Sequence, residues 1–268
     1  MNLISIADAL SKPNERPGDY TGEDGLLYCG KCRTPKQMRG EGIFAGKMLA
    51  VSCACMIAER EQEDREEQRR RIEDLRDRCL PVKAMHTHTF DVAEDAKHIL
   101  LAQSYVEKWD ELREKNVGLL FWGNTGSGKS FTAHCIANAL IDRGVFVRLY
   151  SAAELIRQMG DRDSHAETVR RLHAAPLLIV DDLGAERGTE YSRELLCAAI
   201  DERSEAGKPL IVTTNYTLTE MRQCQDREMQ RIFDRLGALC VPVSVIGESR
   251  RREIGAEKMR EVEKLLEL

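Results

Sequence analysis

The strongest chemical signal in the chain is Gly123-Asn124-Thr125-Gly126-Ser127-Gly128-Lys129-Ser130. Glycines at this spacing let the backbone curl until successive N–H groups point inward at one anion, which suits phosphate oxygens. An apolar run over 117–122 (VGLLFW) precedes the loop, and a helical pattern with Phe131 in its first turn follows it. A helix starting there would aim its positive end at the same anion. Lys129 would place a point charge on the outer phosphates, and Ser130 would offer a hydroxyl to magnesium. The spacing therefore predicts a Walker A loop for a magnesium-bound nucleotide, with residues 123–131 making the contacts. The motif alone leaves ATP and GTP open.

LLIVDDLG supplies a second half-site. Four apolar residues carry a buried parallel strand, and Asp181 and Asp182 follow at its carboxyl end, where ligands bind in such sheets. Asp181 is placed to meet magnesium, directly or through water, and Asp182 to polarise an attacking water. Two adjacent carboxylates are costly to bury unless a cation sits beside them. An Asp-Asp cap before a turn is the plainer alternative. Further along, Thr213, Thr214 and Asn215 end another apolar run, where they would either orient water or cap a loop. Arg231 and Arg235 are four apart and share a helix face, and Arg250, Arg251 and Arg252 follow. An arginine that reaches a phosphoryl group is worth orders of magnitude in rate, although surface arginines are common.

These residues need a frame, and the chain's grammar supplies one. Apolar runs at 117–122, 145–150, 176–181, 209–214 and 241–246 alternate with helix-like stretches. That alternation predicts an α/β domain over 84–268 with a parallel five-stranded sheet and helices on both faces. Residues 56–83 contain a stretch dense in Glu, Arg and Gln without Pro or Gly, which predicts a charged helix ending before Pro81. It reads as a solvated connection or as a surface for a partner. Ile72, Leu75 and Cys79 make a short apolar stripe near its end.

Residues 1–55 form a separate cysteine-bearing module. Cys29, Cys32, Cys53 and Cys55 are spaced for a four-thiolate zinc site, since a Cys-x-x-Cys turn points two sulfurs at one tetrahedral ion. Thiols without metal, an iron–sulfur cluster and a redox pair are the alternatives. The loop between the two cysteine pairs lacks a core of its own, so a metal would supply folding energy. Lys31, Arg33, Lys36, Arg39 and Lys47 crowd this region and would suit an acidic surface or phosphates. The other five cysteines, Cys79, Cys135, Cys197, Cys224 and Cys240, fall on predicted helices or a strand and read as small buried hydrophobes. His86, His88 and His98 read as surface or helix residues rather than ligands.

In order and spacing, GNTGSGKS, LLIVDDLG, TTN, RIFDRLG and GESRR resemble the DnaC/IstB group of AAA+ ATPases, nearest to phage- and prophage-encoded DnaC-type helicase loaders. The resemblance covers about residues 84–255, and RIFDRL followed by ESRR is its most specific part. It implies ATP hydrolysis, with Asn215 as the sensor 1 residue and Arg235 as an arginine finger acting on a neighbouring subunit's ATP. Arg231 is the alternative finger, and Arg250 would be sensor 2. Thr89-Phe90 is similar to an aromatic lead-in that packs near the adenine. It also implies an ATP-dependent homo-oligomer, a DnaB-type replicative helicase held by the N-terminal module, and single-stranded DNA as the cargo's destination. An IstB-like transposition helper and a nucleotide-gated DNA-binding protein with little turnover are the competing functions. Only 22 residues follow Ile246, which agrees with the minimal helical lid of this family.

The bulk properties bound the setting. The formal net charge is −5, so any nucleic-acid contact must come from a local patch. No run approaches the roughly 18 apolar residues of a membrane span. The N-terminal MNLISIADALSKPNE has neither a basic start nor a long apolar stretch, and nine cysteines outside a secretory context argue against a disulfide framework. The expected compartment is the cytoplasm.

Overall fold

The computed structural model describes residues 13–184, 188–247 and 249–266, excluding the side chains of 250–254, 256, 257 and 261. The first twelve residues, part of the N-terminal stretch expected not to be a leader, lie outside the described residues. The chain divides into two compact units, one ending at Arg71 and the other beginning at Ile72. The division falls inside one 26-residue helix, α1 (Ala54–Cys79). Ion pairs at helical spacing, Glu61–Arg65, Glu66–Arg70 and Glu67–Arg71, line its exposed part. Each adds only about 0.3–0.5 kcal/mol, but together they favour helix where little apolar surface is buried.

The first unit holds two short antiparallel ribbons, β1 (Tyr20–Thr21) with β2 (Leu27–Tyr28) and β3 (Gln37–Arg39) with β4 (Met48–Ala50). Its buried side chains among the described residues include Cys29, Cys53 and Lys36. Lys36, read above as part of an exposed basic surface, is instead 1% exposed. Its ammonium donates to the Asp19 carboxylate at 2.5 Å and to the Asn14 carbonyl. Asp19 is held at about 2, first by Lys36 and then by the Arg16 N–H. A buried ammonium needs such a counter-charge, so Lys36 belongs to the module's interior.

In the second unit the five apolar runs form one parallel sheet of β5 (Gly118–Trp122), β6 (Val147–Ser151), β7 (Leu177–Leu183), β8 (Leu210–Thr214) and β9 (Cys240–Ser244). The strand order is β6-β7-β8-β5-β9. The helices are α2 (Lys97–Glu107), α3 (Trp109–Glu114), α4 (Lys129–Asp142), α5 (Ala152–Gly160), α6 (His165–Ala174), α7 (Glu190–Glu205), α8 (Leu218–Gln223), α9 (Arg227–Leu239) and α10 (Arg250–Leu265). Alternation along β7 explains the three layers. Leu177 and Ile179 join one core with α2, α3 and α4, whereas Leu178 and Val180 join the other with α5, α6, α7, α8 and α9. Ile72 and Leu75 pack against the first of these cores, and Arg76 donates to Asn138 of α4, so the stripe at the end of α1 is a docking edge for this unit. Cys79, Cys135, Cys197 and Cys240 are buried, and Cys224 is half-exposed just past α8.

Arg203 shows how the amino edge of this sheet is held. It is completely buried, and its guanidinium donates to the carbonyls of Leu172, Ala175, Pro176 and Pro209. Burial lowers its pKa to about 10. Each buried acceptor left unpaired costs about 1–3 kcal/mol. Arg203→Met is therefore expected to destabilise the second unit by at least about 3 kcal/mol, with Arg203→Lys recovering part of the loss. Denaturant unfolding of the full-length variants reads this, and a wild-type midpoint for Arg203→Met would refute it.

Candidate functional site

The strand order sets β8 between β5 and β7, so the loop after β5 and the carboxyl ends of β7 and β8 meet at one edge. The loop runs Gly123 to Gly128 and enters α4 at Lys129, with Gly128 in the left-handed region at φ 102°. Two of its glycines are required by close approach. Gly123 has φ 147°, and a Cβ there would stand 2.1 Å from the Val245 carbonyl oxygen. A Cβ on Gly126 would stand 2.2 Å from the Ser249 hydroxyl. Ser127 is buried and its hydroxyl donates to the Asn124 carbonyl at 2.8 Å. Ser130 is the second residue of α4 and half-buried, as is Phe131, while Thr125 is exposed.

Lys129 is 7% exposed. Its ammonium donates to the carbonyls of Gly123 at 3.0 Å and Asn124 at 2.8 Å, and to Asn215 Oδ1 at 2.8 Å. Two segments 86 residues apart in sequence thus meet at one charge. The Asn124 side chain reaches a third segment. Its amide donates to the Gly247 carbonyl at 2.7 Å and accepts from the Gly247 N–H at 3.3 Å. That clasp ties the loop to the segment leading into α10.

The Asp-Asp pair lies on a distorted strand. Between Val180 and Leu183, β7 carries one residue more than its partner β8, and Asp182 has φ 60°. A bulge with a left-handed aspartate at its centre is strained by about 1–3 kcal/mol and persists only where neighbours enforce it. Thr213 is one of them. Its hydroxyl donates to Asp181 Oδ1 at 2.5 Å and accepts from the Asp182 N–H at 2.8 Å. Asn215 Nδ2 donates to Asp182 Oδ1 at 3.4 Å. Lys129, Asn215, Asp182, Thr213 and Asp181 therefore form one hydrogen-bonded line.

The structure does not bring the arginines into this line. Arg235 pairs with Asp201 of α7, and Arg231 with Glu228 at 3.1 Å. Their helix, α9, ends where Cys240 pairs with Gly118, at the sheet edge opposite the loop. Arg250 is the first residue of α10, but its side chain lies outside the described residues, as do those of Arg251 and Arg252. Beside α4, His88 and His134 stack with ring centroids 5.1 Å apart and Nδ1 atoms at 2.9 Å, and Phe131 packs on His88. Burial pushes His134 down to about 4, so it is neutral at ordinary pH. This cluster includes His88, one of the histidines read above as surface or helix residues. Phe90 packs against the core shared by α2, α3 and α4.

In the first unit, the sulfurs of Cys29, Cys32, Cys53 and Cys55 all lie within 4.8 Å of one another. Cys29 and Cys55 are 3.5 Å apart, and Cys53 and Cys55 3.3 Å. Tetrahedral zinc with bonds of about 2.3 Å sets sulfurs roughly 3.8 Å apart, so the cluster fits that ion. Cys32 is pulled down to about 5, first by the Thr34 hydroxyl. Cys55 is pushed up to about 12, first by sharing a proton with Cys53 and then by Cys29. Crowded thiols that cannot all ionise together are what a cation resolves.

The family model for IstB-like ATP binding protein matches residues 47–257. The chain belongs to this family. The replicative helicase loader DnaC of Escherichia coli (strain K12) is 27% identical over 140 residues, covering 50% of this chain and 55% of the relative. The replicative helicase loader DnaI of Bacillus subtilis (strain 168) is 25% identical over 150 residues, covering 51% and 48%. The chain thus spans about half the length of these curated relatives. Two crystal structures share the fold. That of DnaI has a TM-score of 0.53 and 24% identity over 63% of this chain and 93% of that one. That of the DnaC helicase loader has a TM-score of 0.52 and 22% identity over 61% and 99%. The second unit is an α/β AAA+ fold with a five-stranded parallel sheet, and this IstB-like domain binds ATP. No helix among the described residues is long and apolar enough to cross a membrane.

Proposed function

We propose that this chain hydrolyses ATP and, as an ATP-dependent assembly, loads a DnaB-type replicative helicase onto single-stranded DNA. The observation that carries the hydrolytic reading is the line from Lys129 through Asn215 to Asp182. It gathers a cation, an amide and a carboxylate around the mouth of the Gly123–Gly128 loop. In this reading the loop N–H groups and Lys129 bind the phosphates, and Ser130 and Asp181 would hold magnesium. When bound, that ion neutralises developing charge on the phosphate oxygens. Asp182 accepts a proton from water, Asn215 orients that water, and Thr213 fixes the Asp181 carboxylate and the Asp182 backbone from the neighbouring strand. Arg235 completes the site of the next subunit.

The helicase reading draws on the relatives named as replicative helicase loaders and on the cysteine module preceding the ATPase unit. The test is capture of the tagged full-length protein from a lysate of its host with ATP and magnesium present, followed by mass spectrometry. A replicative helicase that elutes when ATP is withdrawn supports loading. A transposase in its place would favour a transposition helper, the reading suggested by the family's IstB-like description.

The module is proposed to hold zinc through Cys29, Cys32, Cys53 and Cys55. Purified protein is expected to carry about one zinc per chain, as four thiolates complete a tetrahedral site. Cys29→Ser and Cys53→Ser should each lose most of it, and chelation should unfold the module while the ATPase unit stays folded. Elemental analysis and separate thermal transitions read this. Full zinc content in both variants would assign the metal elsewhere.

A further inference from the structure

We infer that Tyr216 is a positioning residue that couples the strand end around Asn215 and Asp182 to the helix carrying Arg235. This rests on the reading of Arg235 as a group delivered to a neighbour's ATP. Tyr216 directly follows Asn215, and its backbone is fixed to β7. The Thr214 hydroxyl donates to the Leu183 carbonyl at 2.8 Å and accepts from the Tyr216 N–H at 3.2 Å. The Tyr216 ring lies against Gly184, immediately after the Asp-Asp bulge. A Cβ on Gly184, where φ is 97°, would stand 2.4 Å from ring atom Cε2. On its other side the ring meets Phe233 edge-on, with centroids 5.4 Å apart at 71°. Phe233 lies in the buried face of α9, between Arg231 and Arg235.

Few parts separate the two functions. One peptide bond links Asn215 to Tyr216, and the edge-on contact with Phe233 links Tyr216 to α9. The Gly184 backbone offers no side chain that could yield and absorb a shift of the ring. Packed, rigid contacts of this kind are what carry coupling between sites. This stretch of α9 is also held by Ile232 and Leu236, buried in the same core, and by the pair between Arg235 and Asp201. Among these supports the ring is the one joined directly to Asn215, so it ties the seat from which Arg235 must reach out to the strand end.

The inference predicts an asymmetric effect in mixed assemblies. Lys129→Ala subunits cannot turn over ATP but retain Arg235, so they act as donors. Arg235→Ala subunits retain the pocket and act as acceptors. Adding Tyr216→Ala to the donor should lower the restored turnover about tenfold, whereas adding it to the acceptor should cost less, because there Thr213 and Thr214 still hold the strand end. Tyr216→Phe in the donor keeps the ring contact and should restore the rate. Phe233→Leu in the donor should reproduce the loss. Thermal unfolding of each donor, together with the Tyr216→Phe rescue, separates positioning from misfolding. A loss in the donor no larger than that in the acceptor, or no loss in either, overturns the inference. If the parent mixture of Lys129→Ala and Arg235→Ala shows no restored turnover, the trans reading of Arg235 fails first, and the inference falls with it.

Discussion

Lys129→Ala is expected to lose magnesium–ATP affinity by about a hundredfold or more. The ammonium would give at least two charge-assisted hydrogen bonds to phosphate oxygens, each worth about 1.5–3 kcal/mol, and about 1.4 kcal/mol is tenfold in affinity. Lys129 also staples its own loop by donating to the Gly123 and Asn124 carbonyls. Alanine removes both roles, yet the core beneath is untouched, since Ala133, Ile136, Ala137 and Leu140 pack independently of the ammonium. The variant should keep its helical content and the transition of its ATPase unit. Arginine should not substitute, because its planar fork needs more room than the pocket between two carbonyls and Asn215 offers. Calorimetry with magnesium–ATP is the measurement, and an affinity within about threefold of wild type would remove Lys129 from the phosphate site.

Much of this site was legible in the sequence because its parts are local. Loop glycines, a strand ending in aspartates and two cysteine pairs are written in consecutive residues whose conformational needs are specific. All five strands lie within a few residues of the apolar runs that predicted them, because buried parallel strands leave near-continuous apolar stretches. What escaped depends on which segments become neighbours. Lys36 looks like any surface lysine until β3 folds over Asp19. Asn124 sits in a phosphate motif, but its amide serves Gly247. Arg203 lies on a charged helix face with nothing in its neighbourhood to announce four carbonyl partners. The bulge at Asp182 has no marker in LLIVDDLG, since the extra residue exists only relative to β8. Thr213 was visible as one of three polar residues at a strand end, but its link to the Asp-Asp pair required the order β7-β8-β5.

Arg235→Ala is expected to bind ATP as wild type does and to hydrolyse it about a thousandfold more slowly. Nothing described connects Arg235 to its own subunit's Lys129, Asp181, Asp182 or Asn215; its guanidinium rests on Asp201, and α9 ends at the far edge of the sheet. The pair with Asp201 is partly exposed, with side chains 39% and 26% accessible. Such pairs contribute about 0–1 kcal/mol, so a neighbour's triphosphate can outcompete the carboxylate. If Arg235 is delivered in this way, mixing Arg235→Ala with Lys129→Ala should regain turnover that neither has alone. Some junctions then join an intact pocket on one subunit to an intact arginine on the next. The gain should rise and fall with the mixing ratio, because both parents are needed at one junction. A mixture that stays inactive at every ratio, while the subunits demonstrably co-assemble, excludes Arg235 as the group supplied in trans. Arg231 is the next to test by the same design, since it shares the exposed side of α9 and is held only by Glu228 and, at 4.0 Å, Asp201 among the described residues.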